Sequence, residues 1–218
     1  MLRADVPGEN ATMYLRPAFT ETDPARIAAL IRAHRFGLLV TQGPRGIEAS
    51  HIPFLLSGPD QDFVLSGHLA AANPQCAALE GREALAVFGG PHAYVSPGWY
   101  RTQPAVPTWD YASVHVSGRL APVTEATEIA SALRGLSAGD PEGFDLDALP
   151  EAFRARMIGG IRAFTLTPAR VEAQWKMSQN RSPADREAVA AALRAGGDAT
   201  AAEVAALIEA TLPASEHA

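Results

Sequence analysis

The chain of 218 residues is poor in several things, and each shortage excludes a class of protein. It has one cysteine, Cys76, so no internal disulfide can staple the fold, and a lone thiol fits a reducing compartment. Basic residues are outnumbered, 18 Lys and Arg against 24 Asp and Glu, for a net charge of −6. A nucleic-acid surface needs a positive field, and this balance argues against one. No apolar run reaches the length of a membrane span, and the first 15 residues lack the apolar core of a secretion signal, which leads us to expect a cytoplasmic protein. A phosphate-binding P-loop, GxGxxG after a strand, zinc-ribbon spacing, HExxH and a fixed-period repeat are all missing from the sequence. So are the serine of a nucleophile elbow and any paired-carboxylate spacing. What remains is an ordinary apolar fraction, 47%, in a chain long enough to bury a full core.

Unusual chemistry is concentrated in residues 90–118, GPHAYVSPGWYRTQPAVPTWDYASVHVSG. Two of the three tryptophans, three of the four tyrosines, His92, His115 and four prolines fall there. That is too much proline for a helix and suits strand, loop, strand. Flat rings, imidazoles and a stiff loop suit a site for a planar ligand. They suit equally an apolar seam between strands, because Tyr and Trp are good strand formers.

Residues before Tyr14 read as a loose arm. Asp23 as cap, Pro24 in the first turn, and Ile27, Leu30, Ile31 and His34 on one face predict a helix. Strands are expected over 36–42, over 47–56 with an interruption at Pro53, and over 63–69. Asn73-Pro74 opens a short helix closed by Gly81. Further strands are expected at 84–88, 92–95, 111–120, 161–167 and 170–175, the last two split by Pro168. Helices are expected at 124–136 and at 150–158, the latter with Phe153 and Met157 inward. The tail reads as two alanine-rich helices around the turn 195–198, the second opened by a Thr200/Glu203 capping box. The pattern predicts a mainly β, α+β protein: a small β-barrel of six or seven strands with peripheral helices. Residues 1–181 would form the barrel domain and residues 182–218 a C-terminal helical pair packed on it.

Four histidines, His51, His68, His92 and His115, sit one per expected strand, but no pair has ligand spacing on a single element, and no metal site is assigned. GHLAAANP ends a strand and opens a helix, so backbone N–H groups near His68 and Asn73 are a ready anion site; an ordinary capped connection is the competing reading. That loop carries no cation, and Lys176 or Arg181 would have to supply one. Cys76 reads as a small apolar thiol rather than a nucleophile. Asp110 reads either as a buried acid or as a loop carboxylate accepting backbone hydrogen bonds.

Taken together, MYLRPAF at Met13, SHIPFLL at Ser50, GHLAAANPQ at Gly67, VFGGPHAYVSPGWY at Val87, VPTWDYASVHVSG at Val106 and WKMSQNRSPADR at Trp175 resemble the PaiB family, described as FMN-binding negative transcriptional regulators. The resemblance runs from Tyr14 to Leu193. It implies the FMN-binding split barrel of pyridoxine-phosphate oxidases and flavin reductases, a homodimer with FMN in grooves between barrels. It also implies that Ser50, His51, Ile52, Pro53, Gly67, His68 and Asn73 line the flavin and its phosphate. Trp109, His115 and the segment Lys176, Gln179, Asn180 and Arg181 would complete and close the pocket. Three departures stand out: Ala71 where the family commonly has arginine, Asp110 where it has asparagine, and a shortened loop over 100–106. Each lowers the expected flavin affinity, so the protein can purify empty.

The sequence therefore leaves three readings. The first is an FMN-binding homodimer of flavin-oxidoreductase or flavin-sensing type, in which the cofactor carries the chemistry and His51, His92 and His115 are candidate proton carriers without an assigned catalytic residue. The second is a DNA-binding repressor, for which residues 182–218 offer two arginines and no lysine against six acids. The third is an interaction protein that has lost its cofactor.

Overall fold

The computed structural model describes residues 13–44 and 46–213. The expected N-terminal arm, apart from Met13, and Arg45 of the first turn lie outside the described residues. Among the described residues there are five α-helices, α1 (Pro24–Ala33), α2 (Ala126–Ser137), α3 (Glu151–Gly159), α4 (Pro183–Ala195) and α5 (Ala199–Ala210). Seven strands, β1 (Phe36–Gly43), β2 (Gly46–Pro53), β3 (Leu55–Ser57), β4 (Val64–Ala70), β5 (Glu83–Val95), β6 (Thr108–Val123) and β7 (Ile161–Lys176), make one sheet in the order β2-β1-β5-β6-β7-β4-β3. The registered pairs β1/β2, β1/β5, β3/β4 and β4/β7 are all antiparallel. This is the α+β, seven-stranded class that the residue pattern predicts, with the split-barrel form that the family resemblance implies.

The chain divides into two compact units, which we take separately. The first comprises Asp23–Phe88 and Val114–Val171. Its core is built by alternation: along β4, Leu65, Gly67 and Leu69 are buried while Val64, Ser66 and His68 are only partly so. Phe54 stands edge-on to Phe88 at 5.2 Å between centroids and to Phe164 at 6.3 Å, and all three rings are at most 1% exposed. α1 is capped as expected, with Asp23 accepting from the Ala25 N–H at 2.9 Å and Ile27, Leu30 and Ile31 buried. Pro53 ends β2, an outer strand of the sheet, where a missing donor is tolerated.

Several expectations fail here for identifiable reasons. Pro168 does not divide β7, which runs unbroken from Ile161 to Lys176. The neighbouring strand has Gly118 against Thr167, where any Cβ would fall 2.1 Å from the Thr167 carbonyl oxygen, so the backbones close in beside the proline. The strand predicted at 92–95 is the continuation of β5 through Gly89, Gly90 and Pro91. Phe153 and Met157 of α3 are not inward; they are 42% and 49% exposed, and α3 buries no residue. The helix after Asn73 is a five-residue 3₁₀ turn, Pro74–Ala78.

The second unit contains described residues 13–22, Gly89–Ser113 and 172–213. Its core draws on Phe19, Trp175, Met177 and the inner faces of α4 and α5, including Val189, Leu193, Val204 and Ile208. α4 starts on Ser182, whose hydroxyl accepts from the Asp185 N–H at 3.2 Å. α5 is capped by Asp198, which accepts from the Ala201 N–H at 2.7 Å, so the Thr200/Glu203 box is displaced by an aspartate two residues earlier. Arg186, 6% exposed, donates to the Ile208 carbonyl and to Thr211 Oγ1, closing the C-terminal end of α5. Asp185 accepts from the Thr102 N–H at 2.9 Å and so ties α4 to the aromatic loop.

Candidate functional site

In the first unit the predicted residues of β2 and β4 fall into distinct roles. Asn73 Nδ2 donates to Ser50 Oγ at 3.0 Å, and Asn73 Oδ1 accepts from the Gln75 N–H at 2.9 Å. Ser50 thus accepts one bond, and no partner among the described residues takes its own hydrogen, which remains available to an acceptor. Gln75, 1% exposed, anchors the turn through Nε2 to the Leu39 carbonyl, Thr41 Oγ1 and the Glu48 carbonyl. Its Oε1 is buried with no partner among the described residues. Gln75 closes the GHLAAANPQ motif, but the motif does not display this anchoring role.

The anion reading of this turn changes in its physics. The amides of Ala71, Asn73, Gln75 and Cys76 are all engaged, by Gly160 O, Ala70 O, Asn73 Oδ1 and Asn73 O respectively. A single 3₁₀ turn carries little dipole, so an anion held here depends on side chains rather than on a helix end. His68 lies half-buried on β4, and burial pulls its pKa below the usual histidine range, favouring the neutral ring. Arg162, paired across the β4/β7 ladder with Leu69, lies near enough to Cys76 to lower that thiol's pKa, although burial dominates and raises it. Sequence reasoning found no cation for this loop because Arg162 is almost a hundred residues away and comes close only through sheet pairing. His51 is exposed and stacked on Phe36 at 6.0 Å, Ile52 is core, and Pro53 closes the strand. Gly67 has a packing explanation: a Cβ there would meet Phe164 at 2.8 Å. His115 is half-buried on β6.

The second unit gathers the rest. Alternation on β6 turns Trp109 outward, 54% exposed, and Asp110 inward, fully buried. Lys176 Nζ donates to Thr108 Oγ1 at 2.7 Å, to the Trp109 carbonyl at 2.5 Å and to Asp110 Oδ1 at 3.2 Å. Ser178 donates its hydroxyl to Asp110 Oδ2 at 2.7 Å, from a left-handed backbone at φ 56°. Asp110 is therefore the buried acid of the two alternatives. Burial raises its pKa, opposed by Ser178 and Lys176. Gln179 uses both ends of its amide on the preceding backbone, accepting from the Met177 N–H and donating to the Trp175 carbonyl. Asn180 is exposed, and the Arg181 guanidinium lies 4.4 Å from the centroid of the Tyr100 ring. No carboxylate partner of Arg181 is found among the described residues.

The same unit holds a cavity of about 450 Å³ whose lining includes His92, Tyr94, Trp99, Trp109, Leu193 and Asp198. Trp109 stands at 6.0 Å and 73° to Tyr94 and at 6.2 Å and 39° to His92. Tyr94 and Trp109 thus form an open wall, while Tyr100 and the inward residues of the same segment, such as Val95, are buried. The described residues hold no group of three or more His, Cys, Asp or Glu able to share a metal, and no helix among them is long and apolar enough to cross a membrane.

The fold is similar to that of solved structures of low sequence identity. The flavocytochrome Anf3 from Azotobacter vinelandii matches with a TM-score of 0.56 at 16% identity, over 72% of this chain and 69% of that one. An FAD and heme binding protein from Mycobacterium smegmatis matches with a TM-score of 0.54 at 15% identity, over 72% and 73%. Residues 13–170 match the FMN_bind_2 family, described as "Putative FMN-binding domain". The chain is also 31% identical over 202 residues to the Protease synthase and sporulation protein PAI 2 of Bacillus subtilis, covering 90% of this chain and 97% of the relative. The chain belongs to this FMN-binding domain family, and with it to the PaiB family that its motifs resemble.

Proposed function

We propose that the protein binds flavin mononucleotide as a cytoplasmic homodimer and serves a flavin-dependent redox or flavin-sensing role. The observation that carries the reading is the Ser50–Asn73 pair. It is a pre-positioned hydroxyl with a spare hydrogen, in the same unit as half-buried His68 and in the segment the family model covers. These side chains fit a phosphate: Ser50 and His68 can donate to its oxygens, and Asn73 fixes Ser50 in place. When bound, the flavin would supply hydride or electron transfer, while the chain's own residues bind it, orient it and exclude water. In the proposed dimer the phosphate's cation is assigned to Arg181 of the second subunit, a guanidinium stacked on Tyr100 with no acid partner among the described residues. The interface of the proposed dimer covers the face carrying residues 90–118, where exposed Trp109 and Tyr94 supply the aromatic area that interfaces favour.

Asp110 does not weaken this reading, because its charge is buried against Lys176 rather than turned to a ligand. A direct repressor role is disfavoured by the tail: Arg186 is buried and Arg194 is paired with Glu209 at 2.5 Å. Flavin fluorescence titration of the wild type, Arg181→Ala and Arg162→Ala tests the phosphate assignment. A charged hydrogen bond contributes about 1.5–3 kcal/mol, so Arg181→Ala should weaken FMN by roughly ten- to a hundredfold and leave riboflavin unchanged. If only Arg162→Ala weakens FMN, the cation is misassigned. A monomeric mass by light scattering at micromolar concentration would refute the dimer.

A further inference from the structure

The segment that joins β7 to α4 is fastened at almost every step, and one charge in it is left over. Lys176 and Ser178 are engaged by Asp110, and the Gln179 amide by the Trp175 carbonyl and the Met177 N–H. The Arg181 N–H closes the turn onto the Ser178 carbonyl at 2.9 Å. Asp185, the nearest acid along the chain, is turned to the Thr102 N–H instead of to Arg181. The loop that receives Asp185 is itself tied together. Gln103 Nε2 donates to the Pro97 and Tyr100 carbonyls at 2.8 and 3.2 Å, and its Oε1 accepts from the Ala105 N–H. Tyr100 is 4% exposed, and the Arg181 guanidinium sits over its ring. A salt bridge fixes a guanidinium by occupying its N–H donors, as Glu209 does for Arg194. An aromatic ring fixes it through the π face and leaves the in-plane fork of donors free. Among the described residues nothing accepts a hydrogen bond from the Arg181 guanidinium. We propose that Tyr100 and Asp185 are positioning residues that hold the Arg181 fork ready for a phosphate monoester. Tyr100 carries the guanidinium, and Asp185 fastens the Tyr100 loop to the helix that follows Arg181. The proposal rests on the reading that Arg181 of one subunit meets the flavin phosphate held by the other.

Titration of the full-length protein with FMN and with riboflavin, each followed by flavin fluorescence, supplies the test, because a misplaced cation weakens only the ligand that carries phosphate. Tyr100→Leu removes the ring and should weaken FMN about two- to fivefold while leaving riboflavin unchanged. Tyr100→Phe keeps the ring and should restore the affinity for FMN. Asp185→Ala frees the loop and should weaken FMN about two- to tenfold, the effect of having to order one long side chain on binding. Asp185→Asn retains an acceptor for the Thr102 N–H and should recover most of that loss. Affinities are compared per folded molecule, and the Asp185 pair carries the test if Tyr100→Leu does not fold. Either loss should vanish in the Arg181→Ala background, where no fork remains to be positioned. If Arg181→Ala weakens FMN while Tyr100→Leu and Asp185→Ala do not, the positioning claim falls and the flavin reading stands. Losses shared equally by riboflavin, or undiminished without Arg181, would make both residues merely structural and overturn the claim as well. A wild type that binds FMN no more tightly than riboflavin would end the flavin-phosphate reading, and the positioning claim with it.

Discussion

Two aromatic clusters in this molecule are built from similar rings at similar spacings and do opposite things. Phe54, Phe88 and Phe164 meet edge-on in the first unit and are at most 1% exposed. Tyr94 and Trp109 meet edge-on in the second unit at 6.0 Å and stand about half exposed. The first cluster is apolar throughout and holds strands together. The second carries a phenol and an indole, which tolerate water at one end and apolar contact at the other. Ring geometry alone does not separate core from site; exposure and the polar groups behind the rings do. Behind Trp109 stands a buried network of Lys176, Asp110 and Ser178 that fixes its backbone.

The contrast can be broken most severely at the core. Phe54→Ala should destabilise the protein by about 3–5 kcal/mol, read as a lower midpoint in denaturant. Trp109→Ala should cost under about 1 kcal/mol, since the ring buries little. Equal losses would mean that the exposed cluster is structural after all.

Next comes the network that holds the outer ring. Lys176→Met removes the partner of a fully buried carboxylate and should destabilise by about 3 kcal/mol at pH 7. The loss should shrink on acidification, as Asp110 takes up a proton, and should be largely absent in the double variant Lys176→Met, Asp110→Asn. A loss independent of pH would show that Lys176 acts through packing alone.

A smaller effect belongs to Asp110 by itself. Its folded pKa lies above the ordinary aspartate value because burial disfavours the charge. The unfolded state therefore loses its proton first as pH rises. The stability this group contributes is full below the unfolded pKa and is lost as pH climbs through the folded value. Asp110→Asn should flatten the stability profile over that acidic window, as measured by denaturant melts at stepped pH. A profile unchanged by the substitution would refute the raised pKa.

The smallest expected effect is none. Arg194→Glu removes the exposed arginine of α4, already paired with Glu209, and should leave any mobility shift of duplex DNA unchanged. A loss of sequence-selective binding would restore the repressor reading for the tail.

Much of this was legible in the sequence and some could not be. The α1 cap, the interruption at Pro53 and the two tail helices follow from local chemistry, and local chemistry is what a sequence displays. The continuous β5 and β7 were hidden because glycine and proline signal breaks unless a neighbouring strand makes room, as Gly118 does for β7. Phe153 and Met157 have the helical spacing of a buried face, yet α3 buries neither, and spacing cannot say whether a face has a partner. In the candidate site, Ser50, His68 and Asn73 were readable from motif. The roles of Gln75, Arg162 and Ser178 depend on contacts across tens of residues of chain and carried no local mark.

The central claim is that this chain takes a flavin through its phosphate. Equilibrium titration of the cofactor-free protein with FMN and with riboflavin, followed by flavin fluorescence, tests it most directly. The account predicts saturable binding in which FMN is at least about tenfold tighter than riboflavin, an advantage that Ser50→Ala reduces. Equal affinity for the two, or no binding of either, would contradict it.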